Sequence, residues 1–101
     1  MMQLKTGVKA RGLQAEILLA IMVAKEVYTE AGQTFTITSI NDGKHRDDSL
    51  HYEGQAFDIR TRDLNGVTAE DMAHRIRIRL GADYDVLNEG DHIHIEFQQK
   101  E

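Results

Sequence analysis

The sequence predicts an α+β domain, with a small, largely antiparallel sheet and helices packed on one face. Three observations point there. Apolar residues recur at helical spacing through residues 12–31. Segments that alternate apolar and polar residues follow at 34–39, 55–61 and 92–98. A second helical segment with start and stop signals separates them, so the order is helix, strand, strand, helix, strand, strand.

In the first helix, Leu13, Ile17, Ala20, Ile21, Ala24, Val27 and Tyr28 form one broad apolar face, and Gly32 follows as a C-cap. That breadth marks the main core helix; the alternative is an amphipathic helix that binds a partner. In strand 34–39, Phe35 and Ile37 share one face and threonines the other. Residues 40–48 form a polar loop with a turn signal at Asn41-Asp42-Gly43. In strand 55–61, Phe57 and Ile59 point one way, and Ala56, Asp58 and Arg60 the other. Thr68 is placed to cap the second helix, with Glu70 and Asp71 in its first turn. Met72, Ile76 and Leu80 give that helix its apolar stripe, and Gly81 stops it. Residues 75–80 also alternate as a strand would; the cap and the glycine favour helix. Strands at 84–87 and 92–98 are joined by a turn at 88–91. In the last strand Ile93, Ile95 and Phe97 face the core, while His92, His94 and Glu96 share the opposite face.

A chain of 101 residues suits a single domain, 1–101, with one small core. Hydrophobic content of 41% and charged content of 29% fit a soluble globular protein. The net charge of −5 argues against nucleic acid or an anionic membrane as a partner, although Arg75, Arg77 and Arg79 form a local basic run. The N-terminus does not read as a secretory signal, so synthesis in the cytoplasm is expected. The apolar run 17–24 is too short to span a bilayer, which needs ~20 residues. No repeat, linker or wall-binding module is apparent, and a monomer is expected.

The chain has no cysteine, so a metal would have to sit on His, Asp or Glu. His51 and Asp58 bracket a turn into the second strand, and His92 and His94 lie on one face of the last strand, their Cα atoms ~6.5 Å apart. Two imidazole nitrogens and one carboxylate oxygen make a common catalytic zinc site, with the fourth position left for water. Gly54 would let the chain bend between His51 and Asp58, and small Ala56 would leave room beside the metal. Taken singly, each histidine reads as an exposed side chain on a solvent-facing sheet; the full set shifts the reading to metal binding.

Ser49-x-His51-x-x-Gly54-x-Ala56-x-Asp58, followed by His92-x-His94, resembles the zinc D-Ala-D-Ala carboxypeptidases and L-alanyl-D-glutamate endopeptidases. These include phage endolysins and vancomycin-resistance dipeptidases, and they share a fold with the hedgehog signalling domain. The resemblance covers residues 34–98 and extends to short phage and prophage proteins around Asp91-His92-Ile93-His94. It implies His51, Asp58 and His94 as zinc ligands. It makes Asp91, three positions before the last ligand, the general base, with Glu89 as fallback. His92 would stabilise the oxyanion. The implied activity is hydrolysis of peptide bonds in peptidoglycan stem peptides at the bacterial cell wall, of endopeptidase or D,D-carboxypeptidase type, by a zinc-bound water of lowered pKa.

One departure concerns substrate binding. Family members carry an arginine for the substrate carboxylate in the segment matching residues 38–42, which here holds none. Lys44 and Arg46 are the substitutes, with Ser49 beside them as a further substrate-binding candidate, and an endopeptidase is easier to defend than a carboxypeptidase. The other reading is a zinc-stabilised binding or structural module without turnover, such as a virion component. The acid retained at Asp91 favours the enzyme.

Overall fold

The computed structural model describes residues 2–4, 15–41 and 56–98. Its elements are β1 (Met2–Leu4), α1 (Ala15–Glu30), β2 (Phe35–Asn41), β3 (Ala56–Arg60), α2 (Ala69–Leu80), β4 (Tyr84–Asn88) and β5 (His92–Phe97). The strands form one sheet in the order β1-β2-β3-β5-β4. β1 runs parallel to β2, and every other pairing is antiparallel. The expected α+β architecture is therefore present, with a short fifth strand that the sequence pattern did not reveal.

Both helices pack on the same face of the sheet. From α1, Ile17, Ala20, Ile21, Ala24, Val27 and Tyr28 are buried, and from α2, Met72, Ala73 and Ile76. They meet Phe35, Ile37, Phe57, Ile59, Val86, Ile93, Ile95 and Phe97 of the sheet in one cluster. Burying a side chain of this size contributes about 1.5–3 kcal/mol, which is what holds the layers together. The rings interlock as well, Tyr28 edge-on to Phe35 at 5.4 Å and Tyr84 tilted against Phe97 at 5.1 Å. Leu18, Leu19 and Met22 lie on the outer face of α1. No described helix is long and apolar enough to cross a membrane.

The helix ends follow local chemistry. At the end of α1 the Gln33 amide donates to the Tyr28 carbonyl and the Gly32 amide to the Thr29 carbonyl. Gly32 sits at φ +71°, and together these make a Schellman cap. The Thr68 hydroxyl accepts from the Asp71 amide at 3.0 Å at the start of α2, and the Gly81 amide closes its end on the Arg77 carbonyl. These caps decide between the two readings of residues 75–80: the segment is helical, with Ile76 buried and Ile78 exposed. Its arginines pair with acids, Arg75 with Asp71, Arg77 with Glu70, and Arg79 with Glu26 and Glu30.

The helix foreseen over 12–31 spans Ala15–Glu30 among the described residues, while β2 runs on to Asn41, beyond the expected end at residue 39. Ile40 and Asn41 stay in the sheet because they pair with Phe57 and Ala56, after an irregularity in register between Ile37 and Ser39. Ala56 is buried at 1% exposure and pairs with Glu96 on the face that carries Asp58.

Candidate functional site

With both helices on one face, the polar positions of β3 and β5 lie on the other. Antiparallel pairing sets Asp58 directly opposite His94, Arg60 opposite His92 and Ala56 opposite Glu96. Because paired residues share a face, Asp58, Arg60, His92, His94 and Glu96 form a single patch.

At its centre, His94 Nδ1 lies 2.8 Å from Asp58 Oδ1, and His94 Nε2 lies 3.2 Å from Glu96 Oε1. The side chains of His94, Asp58 and Glu96 are 23%, 19% and 25% exposed, so water reaches them only in part. The bond to Asp58 pushes the His94 imidazole up to about 9, with Glu96 adding to it and partial burial opposing it. In the absence of metal this is a protonated imidazole held between two carboxylates.

One step along β5, His92 Nδ1 lies 2.6 Å from Asp91 Oδ1, and Nε2 lies 3.2 Å from Glu89 Oε1. Asp91 is the main cause that raises the His92 imidazole above its ordinary value. The turn carrying both acids is built by local bonds. Gly90 adopts φ +93°, a conformation open to glycine, and its amide donates to Asn88 Oδ1 at 3.1 Å. The Glu89 amide donates to the His92 carbonyl at 2.9 Å. Thr61, just after β3, ties the turn down: its amide donates to the Asp91 carbonyl at 3.2 Å and its hydroxyl to the Gly90 carbonyl at 2.6 Å.

The structure thus brings Asp58 together with His94, and His92 together with Asp91 and Glu89. His51, Lys44, Arg46, Ser49 and Gly54 lie outside the described residues. Glu96, two residues along β5 on the same face, reaches the second nitrogen of the ring that Asp58 holds. Beside His92 and Asp91, a cleft of about 270 Å³ is lined by Thr38, Arg60 and Arg62.

The donor set fits a zinc ion in part. Two donors on a tetrahedral centre with bonds of about 2.0–2.2 Å lie roughly 3.3 Å apart. Asp58 Oδ1 and His94 Nδ1, at 2.8 Å, need to part by only a fraction of an ångström. Among the described residues no group of three His, Asp or Glu side chains is arranged to hold a metal ion. The pair needs a third donor from elsewhere in the chain.

A small α+β sheet with helices on one face and a His–Asp pair on the other defines the class of domain. The chain belongs to the hedgehog amino-terminal signalling domain family, whose model matches residues 10–96. That family is related in fold to the zinc D-Ala-D-Ala peptidases. No solved structure matches the chain.

Proposed function

We propose that this domain is a zinc-dependent peptidase that hydrolyses peptide bonds of bacterial peptidoglycan. The observation that carries the reading is the Asp58–His94 pair, one oxygen and one nitrogen donor 2.8 Å apart on the face of the sheet away from the helices. His51, which lies outside the described residues, would be the third ligand, giving two imidazoles and one carboxylate. Zinc bound there would supply a water acidic enough to ionise near neutral pH.

The remaining chemistry belongs to the chain's own side chains. Glu96 holds the second nitrogen of His94 and fixes the orientation of the ring, the usual duty of an outer carboxylate on a ligating histidine. Asp91 takes up a proton on a carboxylate oxygen and returns it to the leaving amine, with Glu89 as the alternative acid on the same turn. His92, held by Asp91 at Nδ1, would give its Nε2–H to the developing oxyanion once that nitrogen parts from Glu89. The Thr61 bonds fix the distance between this turn and β3. The partner is a peptidoglycan stem peptide, reached at the cell wall, in keeping with a phage or prophage lytic role.

A second reading is favoured by two observations. The family matched is a signalling domain, and both acids of the turn are engaged with His92. On this reading zinc stabilises a binding module without turnover. Asp91→Ala separates the two. If the peptidase reading holds, the variant binds zinc like the parent and loses peptidoglycan digestion. Digestion that persists in the variant, in Glu89→Ala and in the presence of a chelator sinks the zinc mechanism. A parent that binds zinc and digests nothing supports the binding module.

A further inference from the structure

On the polar face of the sheet one apolar side chain stands among charged ones and has no part in the proposed chemistry. Leu87 of β4 pairs with His94, His94 with Asp58 and Asp58 with Ser39, so the four form a row across the sheet. Val86 is buried in the core, which turns Leu87 to the opposite face, where it is 49% exposed. The other exposed large apolar side chains among the described residues, Leu18, Leu19, Met22 and Ile78, lie on the helices. A single exposed leucine is ordinary on a protein surface. This one differs in its place beside the Asp58–His94 pair and in the way its strand is held.

β4 is an edge of the sheet, where strands are usually short or charged. Here both chain neighbours of Leu87 are braced against α2. The Val86 carbonyl accepts from Arg77 Nε at 2.9 Å, Arg77 pairs with Glu70 at 2.8 Å, and Asn88 Nδ2 donates to Glu70 Oε1 at 3.4 Å. Leu87 is thus fixed beside His94 by bonds to a helix, the kind of support that a binding position needs. Its neighbours on the same face are acids: Asp85, which stands opposite Glu96, and Glu89, which reaches His92 Nε2.

We infer that Leu87 is a specificity-determining residue, an apolar wall that receives the aliphatic side chain flanking the bond to be cut. Neighbouring strands lie ~4.8 Å apart, which sets Leu87 roughly 7 Å from the midpoint of the Asp58–His94 pair. Successive Cα atoms of a peptide are ~3.8 Å apart. A residue directly flanking a bond held at the pair therefore brings its side chain into contact with Leu87. Apolar contact there removes both side chains from water. A carboxylate in the same place would lose water without gaining a partner, and the surrounding acids would repel it. The substrate class is a peptide with a small aliphatic residue, such as alanine, on the β4 side of the bond, with glutamate and aspartate disfavoured there. The inference rests on the peptidase reading for the bond that is cut, though not for whether Leu87 touches a peptide held at the pair.

The test is an NMR titration of the full-length protein carrying ¹³C-labelled leucine methyls. The probes are acetyl-D-alanyl-D-alanine amide, its diglycine counterpart, and the two peptides in which one alanine is replaced by D-glutamate. It is run with zinc and again with chelator, on the parent, Leu87→Ala and Leu87→Met, with zinc content measured on each sample. The dialanine peptide should shift the Leu87 methyl resonances and bind about fourfold tighter than the diglycine one, the worth of one buried methyl group. One of the two glutamate peptides should bind no better than diglycine. The preference should fall to near unity in Leu87→Ala, which trims an exposed side chain, and be kept in part by Leu87→Met. Equal affinity for dialanine and diglycine, no binding of any peptide, unmoved Leu87 methyls, both glutamate peptides bound as well as dialanine, or a preference that survives Leu87→Ala overturns the assignment. Failure of the parent to bind zinc would defeat the peptidase reading alone, since the comparison under chelator still decides the role of Leu87.

Discussion

In the metal-free chain, the His94 imidazole should make stability fall as pH rises through the weakly alkaline range. The folded state holds this ring near 9 through Asp58 and Glu96, against about 6.5 for an unfolded histidine. A raised folded value means that the folded chain binds the proton more tightly than the unfolded one. The stabilisation is fully present below about 6.5 and is lost as pH rises from there through about 9. The gap corresponds to about 3 kcal/mol, a large part of the ~5–15 kcal/mol by which domains of this kind are stable. His92 is raised for a similar reason and acts in the same direction. With a urea dependence of ~1–3 kcal/mol per molar, the unfolding midpoint should drop by roughly 1–3 M between pH 6.5 and 9.5 in the presence of chelator. Burial pushes the Tyr28 hydroxyl upward, so its titration stays out of that range. Asp58→Asn removes the largest cause, so its midpoint should fall much less, and the His94 ring should titrate closer to 6.5 by NMR. A parent midpoint that is flat with pH, or an Asn variant that declines as steeply, would refute the pairing as the source.

Three further outcomes follow from local geometry. Gly90→Ala places a Cβ at φ +93° and should destabilise by about 1–2 kcal/mol; because that turn holds Asp91 and Glu89, hydrolysis should fall further than stability, as parallel urea and digestion assays would show. Thr68→Ala removes the bond to the Asp71 amide and should cost about 1 kcal/mol, lowering the melting temperature by several degrees without altering zinc content. Ile93→Ala opens a cavity at a fully buried position of β5 and should cost about 2–5 kcal/mol in urea unfolding, unlike the exposed Ile78→Ala, which should be near neutral.

Elements whose signals are local were legible in the sequence. Thr68 and Gly81 bracket α2 by chemistry that needs no tertiary partner, and β5 alternates cleanly between buried isoleucines and half-buried histidines. The strand β1 was not legible. Met2–Leu4 is too short to show a period, and it forms by parallel pairing with residues more than thirty positions away, Met2 with Phe35 and Leu4 with Ile37. The extension of β2 to Asn41 is of the same kind, since only its pairing with Ala56 keeps that residue in the sheet. At the site, the polar faces of β3 and β5 could be read from alternation. That Asp58 meets His94, while Arg60 meets His92, depends on strand order and register, which composition and spacing do not carry. The cleft that brings Arg60 and Arg62 beside His92 depends on the same register.

A count of bound metal tests the Asp58–His94 site most directly. The protein is purified without added metal, and zinc per chain is measured beside His94→Ala and Asp58→Ala after titration with zinc. About one zinc per chain is expected in the parent and little in either variant. A parent that takes up no zinc, or variants that bind it as the parent does, would show that Asp58 and His94 are an ion pair on a polar sheet face and not the heart of a hydrolytic site.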